Sequence, residues 1–206
     1  MKRLASLLVA LICVSGLFAQ TPEEIVERMS AEMAKGDVEG FSMDFNLKLP
    51  IVGTVRSHSL VRGDKFKLEI SGQDKSSIAW ADATTRWTYD PKTNEITIEN
   101  MTASSSDNAN TEAFDNIADG YKLTLKKETA DAWYIVCKKL PSNKDKDDSK
   151  KMELTVSKKT YLPICLRAKS GLFSFSIENY ALGATEEDVT FNPAAYPDAK
   201  ITDKRQ

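Results

Sequence analysis

The sequence is poor in the residues that most hydrolytic and metal sites need. Its 206 residues include a single histidine, His58, and only three cysteines. A site with several histidines is therefore excluded, and a Ser-His-Asp triad would have to use His58. The sequence contains no GxSxG, HExxH or phosphate-loop motif. We therefore expect no catalytic residues, no metal and no cofactor, and we do not predict an enzyme.

Long hydrophobic segments are missing as well. The one extended apolar run, residues 4–14, follows Lys2 and Arg3 and is shorter than the roughly 20 residues of a membrane-spanning helix. Small residues come next, and Ala19 precedes a polar chain. This order is typical of a secretory signal peptide, which we predict over residues 1–19.

Cys13 does not turn this leader into a lipoprotein signal. It lies inside the apolar run, and Ile12 stands where such a signal needs a small residue. We therefore predict a soluble periplasmic protein, secreted across the inner membrane and free of a lipid anchor. Residues 20–206 are predicted to form a single domain.

The chain also has no basic excess. Its 28 lysines and arginines are outnumbered by 30 aspartates and glutamates, which gives a formal net charge of −2. Loss of the predicted leader would remove two further basic residues. A nucleic-acid partner favours a basic face, so no such partner is expected.

Alternating apolar and polar residues occupy most of the remaining chain. Thr21 as N-cap, Pro22 and the apolar spacing up to Ala34 predict one amphipathic helix. From Phe41 to Leu49 the period changes to two, which indicates a strand with one apolar face. Similar segments follow between turn signals and predict about 11 strands, the last of them short and through Val189 and Phe191. Two or three helices are predicted in all, one of them a short helix over residues 111–118. Short connections favour an antiparallel sheet, and a sheet this large must curl.

The apolar sides of these strands form a candidate binding surface. Aromatic and β-branched residues are also ordinary strand formers, so the pattern alone leaves both a filled core and an unfilled pocket open. The predicted set comprises Phe41, Met43, Phe45, Leu47, Phe66, Leu68, Ile70, Ile78, Trp80, Trp87 and Tyr89.

Two cysteines lie beyond the leader, Cys137 and Cys165. An oxidising compartment favours a disulfide between them. In a simple meander, however, the predicted strand over residues 152–157 separates their two strands. Next-nearest strands lie roughly 9 to 10 Å apart, and a disulfide needs Cα atoms within about 7 Å. We therefore predict two free thiols.

Four stretches of the chain, taken in order, are SLVRGDKFKLEI, SSIAWADATTRWTYDPKTNEITIEN, LTVSKKTYLPICLRAKSG and VTFNPAAYPDAKITDKRQ. In this order they resemble the outer-membrane lipoprotein carrier family, the LolA-like periplasmic chaperones. In the second of them Ala83 stands where the family has glycine in its DG-K-x-W-x-Y segment. The loop over residues 141–150 and the polar stretch over residues 102–110 have no match.

The resemblance implies a mainly β (α+β) fold, an unclosed, strongly curved antiparallel β-barrel of about 11 strands lidded by two or three helices. It implies that the apolar concave face binds the acyl chains of lipoproteins. Arg62 matches the family's arginine that holds the lid closed through hydrogen bonds to backbone carbonyls, a task suited to its five donors.

The same resemblance implies the partners of the chain. Acylated lipoproteins would arrive from an ATP-driven inner-membrane release complex and pass to an outer-membrane acceptor, carried by a monomer. The alternative is a lipid-binding or lipoprotein-sensing envelope module of the same fold with a different cargo.

Overall fold

The computed structural model describes residues 20–51, 53–72, 76–101, 114, 117–146 and 148–205. Three predictions fall wholly or mostly outside these residues: the signal peptide over residues 1–19, the polar stretch over residues 102–110, and most of a short helix over residues 111–118.

One helix of three turns opens the described chain. Thr21 caps it by accepting a hydrogen bond from the Glu24 backbone, while the Glu24 side chain accepts from the Thr21 backbone, a capping box. Its apolar residues Ile25, Val26 and Met29 are fully buried. The helices are α1 Pro22–Met33, α2 Gly36–Glu39, α3 Ile117–Gly120 and α4 Glu186–Val189, with a 3-10 turn at Pro193–Ala195.

A single sheet of 12 strands forms the body of the protein, as a curved, unclosed structure. Its order is β12-β6-β5-β4-β3-β2-β1-β11-β10-β9-β8-β7. All neighbours are antiparallel except β12 and β6, which are parallel. The strands are β1 Phe41–Leu49, β2 Gly53–Arg62, β3 Lys65–Ser71, β4 Ser76–Ala81, β5 Thr85–Asp90, β6 Glu95–Asn100, β7 Tyr121–Glu128, β8 Ala132–Lys139, β9 Lys151–Ser157, β10 Pro163–Ser170, β11 Phe173–Leu182 and β12 Lys200–Asp203.

This architecture confirms the predicted fold class, with two differences. The first and last long strands, β1 and β11, pair with each other and lie side by side at the centre of the sheet. A final strand predicted through Val189 and Phe191 is wrong. Val189 ends α4, and the last strand is Lys200–Asp203.

We call the face of the sheet that α1 covers the inner face and the opposite side the outer face. Under α1 the inner face of β7 to β11 and β1 is filled by one large apolar cluster, which includes Trp133, Leu154, Leu166 and Ile177. The side chains of Ile25, Val26 and Met29 complete this cluster. Together they stabilise the fold by about 5 to 9 kcal/mol, so α1 is part of the core.

Both ends of α1 are tied to the sheet by tyrosines. The Tyr161 hydroxyl donates to Gln20 at 3.1 Å, and the guanidinium of Arg28 lies 3.9 Å from the centre of the Tyr161 ring. At the other end the Tyr180 hydroxyl donates to the carbonyl oxygen of Met33 at 3.3 Å. These contacts fix the position of α1 over the sheet.

Cys137 on β8 and Cys165 on β10 are both free, and β9 lies between their strands. The predicted meander and the two free thiols are therefore confirmed. Cys137 is fully buried in the inner cluster, whereas Cys165 lies half-buried on the outer face beside Glu178.

Candidate functional site

The inner face continues beyond the part that α1 covers, onto β2, β3 and β4. Paired residues of antiparallel strands point to the same face, so the inner position of Phe41 carries over through Val61 to Phe66. In the same way Met43 leads through Ser59 to Leu68. A second apolar cluster forms here from residues of the sheet, and Val61 contacts both clusters.

Small side chains border the bulky ones in this second half. On β4, Ala81 lies opposite Phe66 and Ala79 opposite Leu68. On β2, Ser59 lies opposite Leu68 and Ser57 opposite Ile70. Leu68 and Ile70 on β3 thus stand between small residues on both neighbouring strands, whereas Phe66 has a small residue only on the β4 side. We call this region, formed by the inner residues of β2, β3 and β4, the trough.

The trough differs from the α1-covered half of the inner face because no described helix packs into it. None of the described helices contributes a side chain to its apolar cluster, which contains Phe66, Leu68, Ala79 and Ala81 with partly buried neighbours from the sheet and Met101. All four are buried, with 2 to 8% of their surface exposed, so an acyl chain would have to separate them from their present neighbours, but from no side chain of a described helix.

Seven of the eleven predicted site residues lie on the inner face. Phe41, Met43, Phe45 and Leu47 are on β1, and the first three of them belong to the α1-covered cluster or pack against it. Phe66, Leu68 and Ile70 are on β3 and belong to or pack against the cluster of the trough.

The other four, Ile78, Trp80, Trp87 and Tyr89, lie on the outer face. Trp80 pairs with Lys67 and Ile78 with Glu69, and those two residues alternate with the inward-facing residues of β3. Trp87 pairs with Trp80 and Tyr89 with Ile78. The prediction that all eleven share one face is therefore wrong.

The C-terminal segment covers these outer aromatic residues. The Phe191 ring lies 5.3 Å from that of Trp80 and 5.5 Å from that of Trp87, and the Tyr196 ring lies 4.5 Å from that of Tyr89. The outer face of β4 and β5 is thus occupied by the chain's own aromatic side chains.

Arg62 connects three elements at one end of β2. Its Nη1 donates to the carbonyl oxygen of Glu39 at 2.7 Å and to that of Ala184 at 3.0 Å. Glu39 ends α2, and Ala184 follows β11. The geometry matches the predicted contact of Arg62 with backbone carbonyls.

Gly40 makes this junction possible. It links α2 to β1 with φ +75°, a conformation that glycine adopts without strain. A Cβ added there would overlap the carbonyl oxygen of Ala184 and lie 3.0 Å from that of Val61. The Gly40 carbonyl also accepts a hydrogen bond from the Gly183 backbone at 2.9 Å, so the α2–β1 junction packs closely against the end of β11.

His58 has a partner that was not predicted from the sequence. Its Nδ1 lies 2.7 Å from Oδ1 of Asp44, and the other oxygen of Asp44 accepts from Asn179 at 2.7 Å. Burial alone would raise the pKa of Asp44, but the hydrogen bonds from Asn179 and His58 outweigh it and lower that pKa. Residues 44 and 58 are equally far from the β1–β2 turn, and this spacing could have revealed the pair.

The His58–Asp44 pair borders an outer groove of about 610 Å³ that is lined mainly by polar residues. Ser57 and Ser77, which also border it, belong to inward-facing positions of their strands. Within the described residues no cluster of three metal-ligating side chains is found. Together with Asn179, the pair links β1, β2 and β11 through side-chain hydrogen bonds.

The chain is similar to known proteins in its structure but not in its sequence. No protein-family model matches the chain, and no curated protein matches it in sequence. LprF from Mycobacterium bovis is similar in structure, with 11% identity over 84% of this chain and 96% of that one, at a TM-score of 0.58. The two chains share a fold.

Two further solved structures are similar at lower scores. A LolA superfamily protein, NE2245 from Nitrosomonas europaea, has 12% identity over 85% of this chain and 100% of that one, with a TM-score of 0.35. A conserved protein from Thermus thermophilus has 15% identity over 90% of this chain and 100% of that one, with a TM-score of 0.48.

Proposed function

We propose that this protein is a periplasmic carrier that binds lipid acyl chains in the trough and delivers them, as parts of lipoproteins, from the inner to the outer membrane. One observation carries the proposal. The inner apolar surface extends past the α1-covered core into a region where small residues of β2 and β4 flank Leu68 and Ile70.

The energetics of an acyl chain favour this location over the space under α1. A buried methylene contributes roughly 0.8 kcal/mol, so one long chain would be held by on the order of 10 kcal/mol. To bind beneath α1, the same chain would have to displace Ile25, Val26 and Met29, which are fully buried. That displacement costs about 5 to 9 kcal/mol and would cancel most of the gain.

For cargo to be released, its binding free energy must be offset in part by interactions that form only in the empty protein. An Arg62 latch would serve this purpose if cargo binding breaks the bonds to Glu39 and Ala184, because these bonds would then re-form on release. The partners that the proposal implies are acylated lipoproteins, an ATP-driven inner-membrane release complex and an outer-membrane acceptor.

The test is saturable binding of a fluorescent fatty acid to delipidated protein that begins at Gln20. The variant Ala79→Leu places extra bulk in the trough and should weaken binding about tenfold, equivalent to about 1.4 kcal/mol. Ser76→Leu, on the outer face of the same strand, adds the same bulk outside the trough and should leave binding unchanged.

Overpacking can also destabilise a protein, so thermal unfolding is recorded for both variants. Leu68→Ala gives an independent reading, because it enlarges the trough and should change the preferred chain length. No saturable binding by the wild type, or equal binding by all variants, would contradict the proposal. Mass spectrometry of lipid extracted from the native protein would then identify the cargo.

A further inference from the structure

Two hairpin turns lie next to each other at one end of the sheet. The β1–β2 turn includes Pro50 and Ile51, and the β10–β11 turn includes Gly171 and Leu172. Because β1 pairs with β11, with Lys48 opposite Ser174, the two turns project from neighbouring strands. Arg62 and its contacts lie at the opposite end of β2.

These turns carry the two most exposed large apolar residues of the described chain, Ile51 and Leu172, and a third exposed one, Phe173, begins β11 next to them. Ile51 is 102% exposed, Leu172 82% and Phe173 51%. Single exposed apolar residues are common, but here three are grouped on two adjacent turns. Leu172 and Phe173 are consecutive in the chain, and Ile51 lies on the neighbouring turn.

The backbone of Ile51 is held in a conformation that its side chain disfavours. Its φ is +71°, in the left-handed region, where a β-branched residue is an outlier and glycine or asparagine is expected. Backbone strain of this kind is concentrated at functional sites. At Ile51 the result is an isoleucine presented entirely to the surroundings.

A row of lysines crosses the outer face at the same end. Lys122 pairs with Lys138, and Lys138 with Lys151. On the next strands Lys169 pairs with Ser174, and Ser174 with Lys48. All five lysines are exposed, and among the described residues only Lys151 of the five forms an ion pair, with Glu153 at 2.8 Å. This concentration of positive charge occurs in a chain with a net charge of −2.

We propose that this end of the sheet docks on the surface of a bilayer that contains anionic phospholipid. Ile51, Leu172 and Phe173 would insert among the headgroups, while the lysine row would face their phosphates. The charge of the row complements such a surface. Three apolar side chains on two narrow turns present far less area than the roughly 1,000 Å² of a specific protein interface, which favours a membrane over a protein partner.

The docking surface is independent of the trough and of any cargo. The first test is sedimentation of delipidated wild-type protein with vesicles of equimolar phosphatidylcholine and phosphatidylglycerol. We expect binding at low salt, loss of most binding at about 0.5 M salt, and little binding to phosphatidylcholine alone. Fatty-acid binding by the trough is measured without vesicles, so the two proposals can fail separately.

The second test separates charge from position. Each lysine near an anionic surface raises the partition constant about fivefold, so the double variant Lys48→Gln, Lys169→Gln should bind about 25-fold more weakly. The matched control, Lys126→Gln with Lys159→Gln, removes the same charge away from this end and should retain most of the binding.

The apolar residues are tested in the same way. The double variant Ile51→Ser, Leu172→Ser should reduce binding at least about tenfold. Val38→Ser with Ile201→Ser removes two exposed apolar residues that lie elsewhere, 77% and 57% exposed, and should leave vesicle binding unchanged.

Ile51→Gly provides a reading that a structural role would not give. Glycine relieves the strain at φ +71°, so this variant should be at least as stable as the wild type and yet bind anionic vesicles more weakly. Equal binding by turn variants and controls, or no binding by the wild type, overturns the proposal. The latter result would leave a protein partner as the occupant of these turns.

Discussion

Arg62 donates a hydrogen bond of 2.7 Å to the carbonyl oxygen of Glu39, so the end of β2 holds the last residue of α2 in place. The variant Arg62→Leu should lose this bond and the one to Ala184, at a cost of about 1 to 3 kcal/mol in the free energy of unfolding. If Arg62 is the latch, cargo should be retained and transfer to outer-membrane vesicles should slow.

The control for this variant is Arg56→Leu, because Arg56 lies on the outer face of the same strand and is exposed. It should transfer cargo at the wild-type rate. Hydrogen exchange at the Gly40 and Gly183 amides reports whether the junction loosens. Wild-type transfer by Arg62→Leu would reduce Arg62 to a purely structural residue.

Gly40 should tolerate no side chain. Gly40→Ala combines a φ of +75° with overlap against the Ala184 carbonyl, and we expect a loss of about 3 kcal/mol or more in the free energy of unfolding. Gly63 has φ +58° with open space around it, so Gly63→Ala should cost only about 1 to 2 kcal/mol. Urea unfolding of both variants checks the difference, and equal losses would contradict the close packing at Gly40.

The two thiols should react very differently in the folded protein. Burial raises the pKa of Cys137 to about 12, and burial, opposed in part by Arg167, raises that of Cys165 to about 11. Below its pKa, alkylation of Cys165 should accelerate about tenfold per pH unit because the thiolate is the reactive form. Cys137 should react only on unfolding.

Intact-mass analysis of protein that begins at Gln20 follows both reactions. Without reductant, the denatured protein should gain two alkyl groups. Glu178→Gln removes a carboxylate beside Cys165 and should speed its alkylation. A protein that gains no alkyl groups in denaturant would contain a disulfide, which the strand order does not permit.

The Asp44 carboxylate links stability to pH. Its pKa is lowered below the ordinary value of 3.8, so its contribution is complete above the unfolded pKa and declines as pH falls through the folded pKa. Asp44→Asn should therefore be less stable at neutral pH and should lose less stability in acid. Asp64→Asn changes an exposed turn residue and is the control. The linkage would be contradicted if the free energy of unfolding changed with pH by the same amount in the wild type and in Asp44→Asn.

Much of the fold follows from local sequence signals. Strict alternation from Phe41 to Leu49 and the turn signals after it identify strands to within one or two residues, because the side-chain period of a strand is two. The pairing of β1 with β11 and of β12 with β6 is not local. Nothing in a single sequence relates those segments, so the centre and one edge of the sheet could not be predicted.

The faces of β4 and β5 were missed for a different reason. Alternation shows which residues of one strand share a face, but the register across each turn decides how strands combine. Phe66 and Trp80 both have even residue numbers, but they do not share a face. Phe66 pairs with Ala81, and Trp80 pairs with Lys67. The register between β3 and β4 thus places Trp80 on the outer face.

This difference of faces yields the last prediction. Phe191→Ala removes the ring that packs on Trp80 and Trp87, at an expected cost of about 3 kcal/mol. Tryptophan emission should shift to longer wavelength, because those two indoles gain contact with water while Trp133 stays buried in the inner cluster. Fatty-acid binding should be unchanged, since the trough lies on the other face of β4. If the variant instead lost fatty-acid binding while remaining folded, the ligand would have to contact the outer aromatic residues, and the inner face would not be the lipid site.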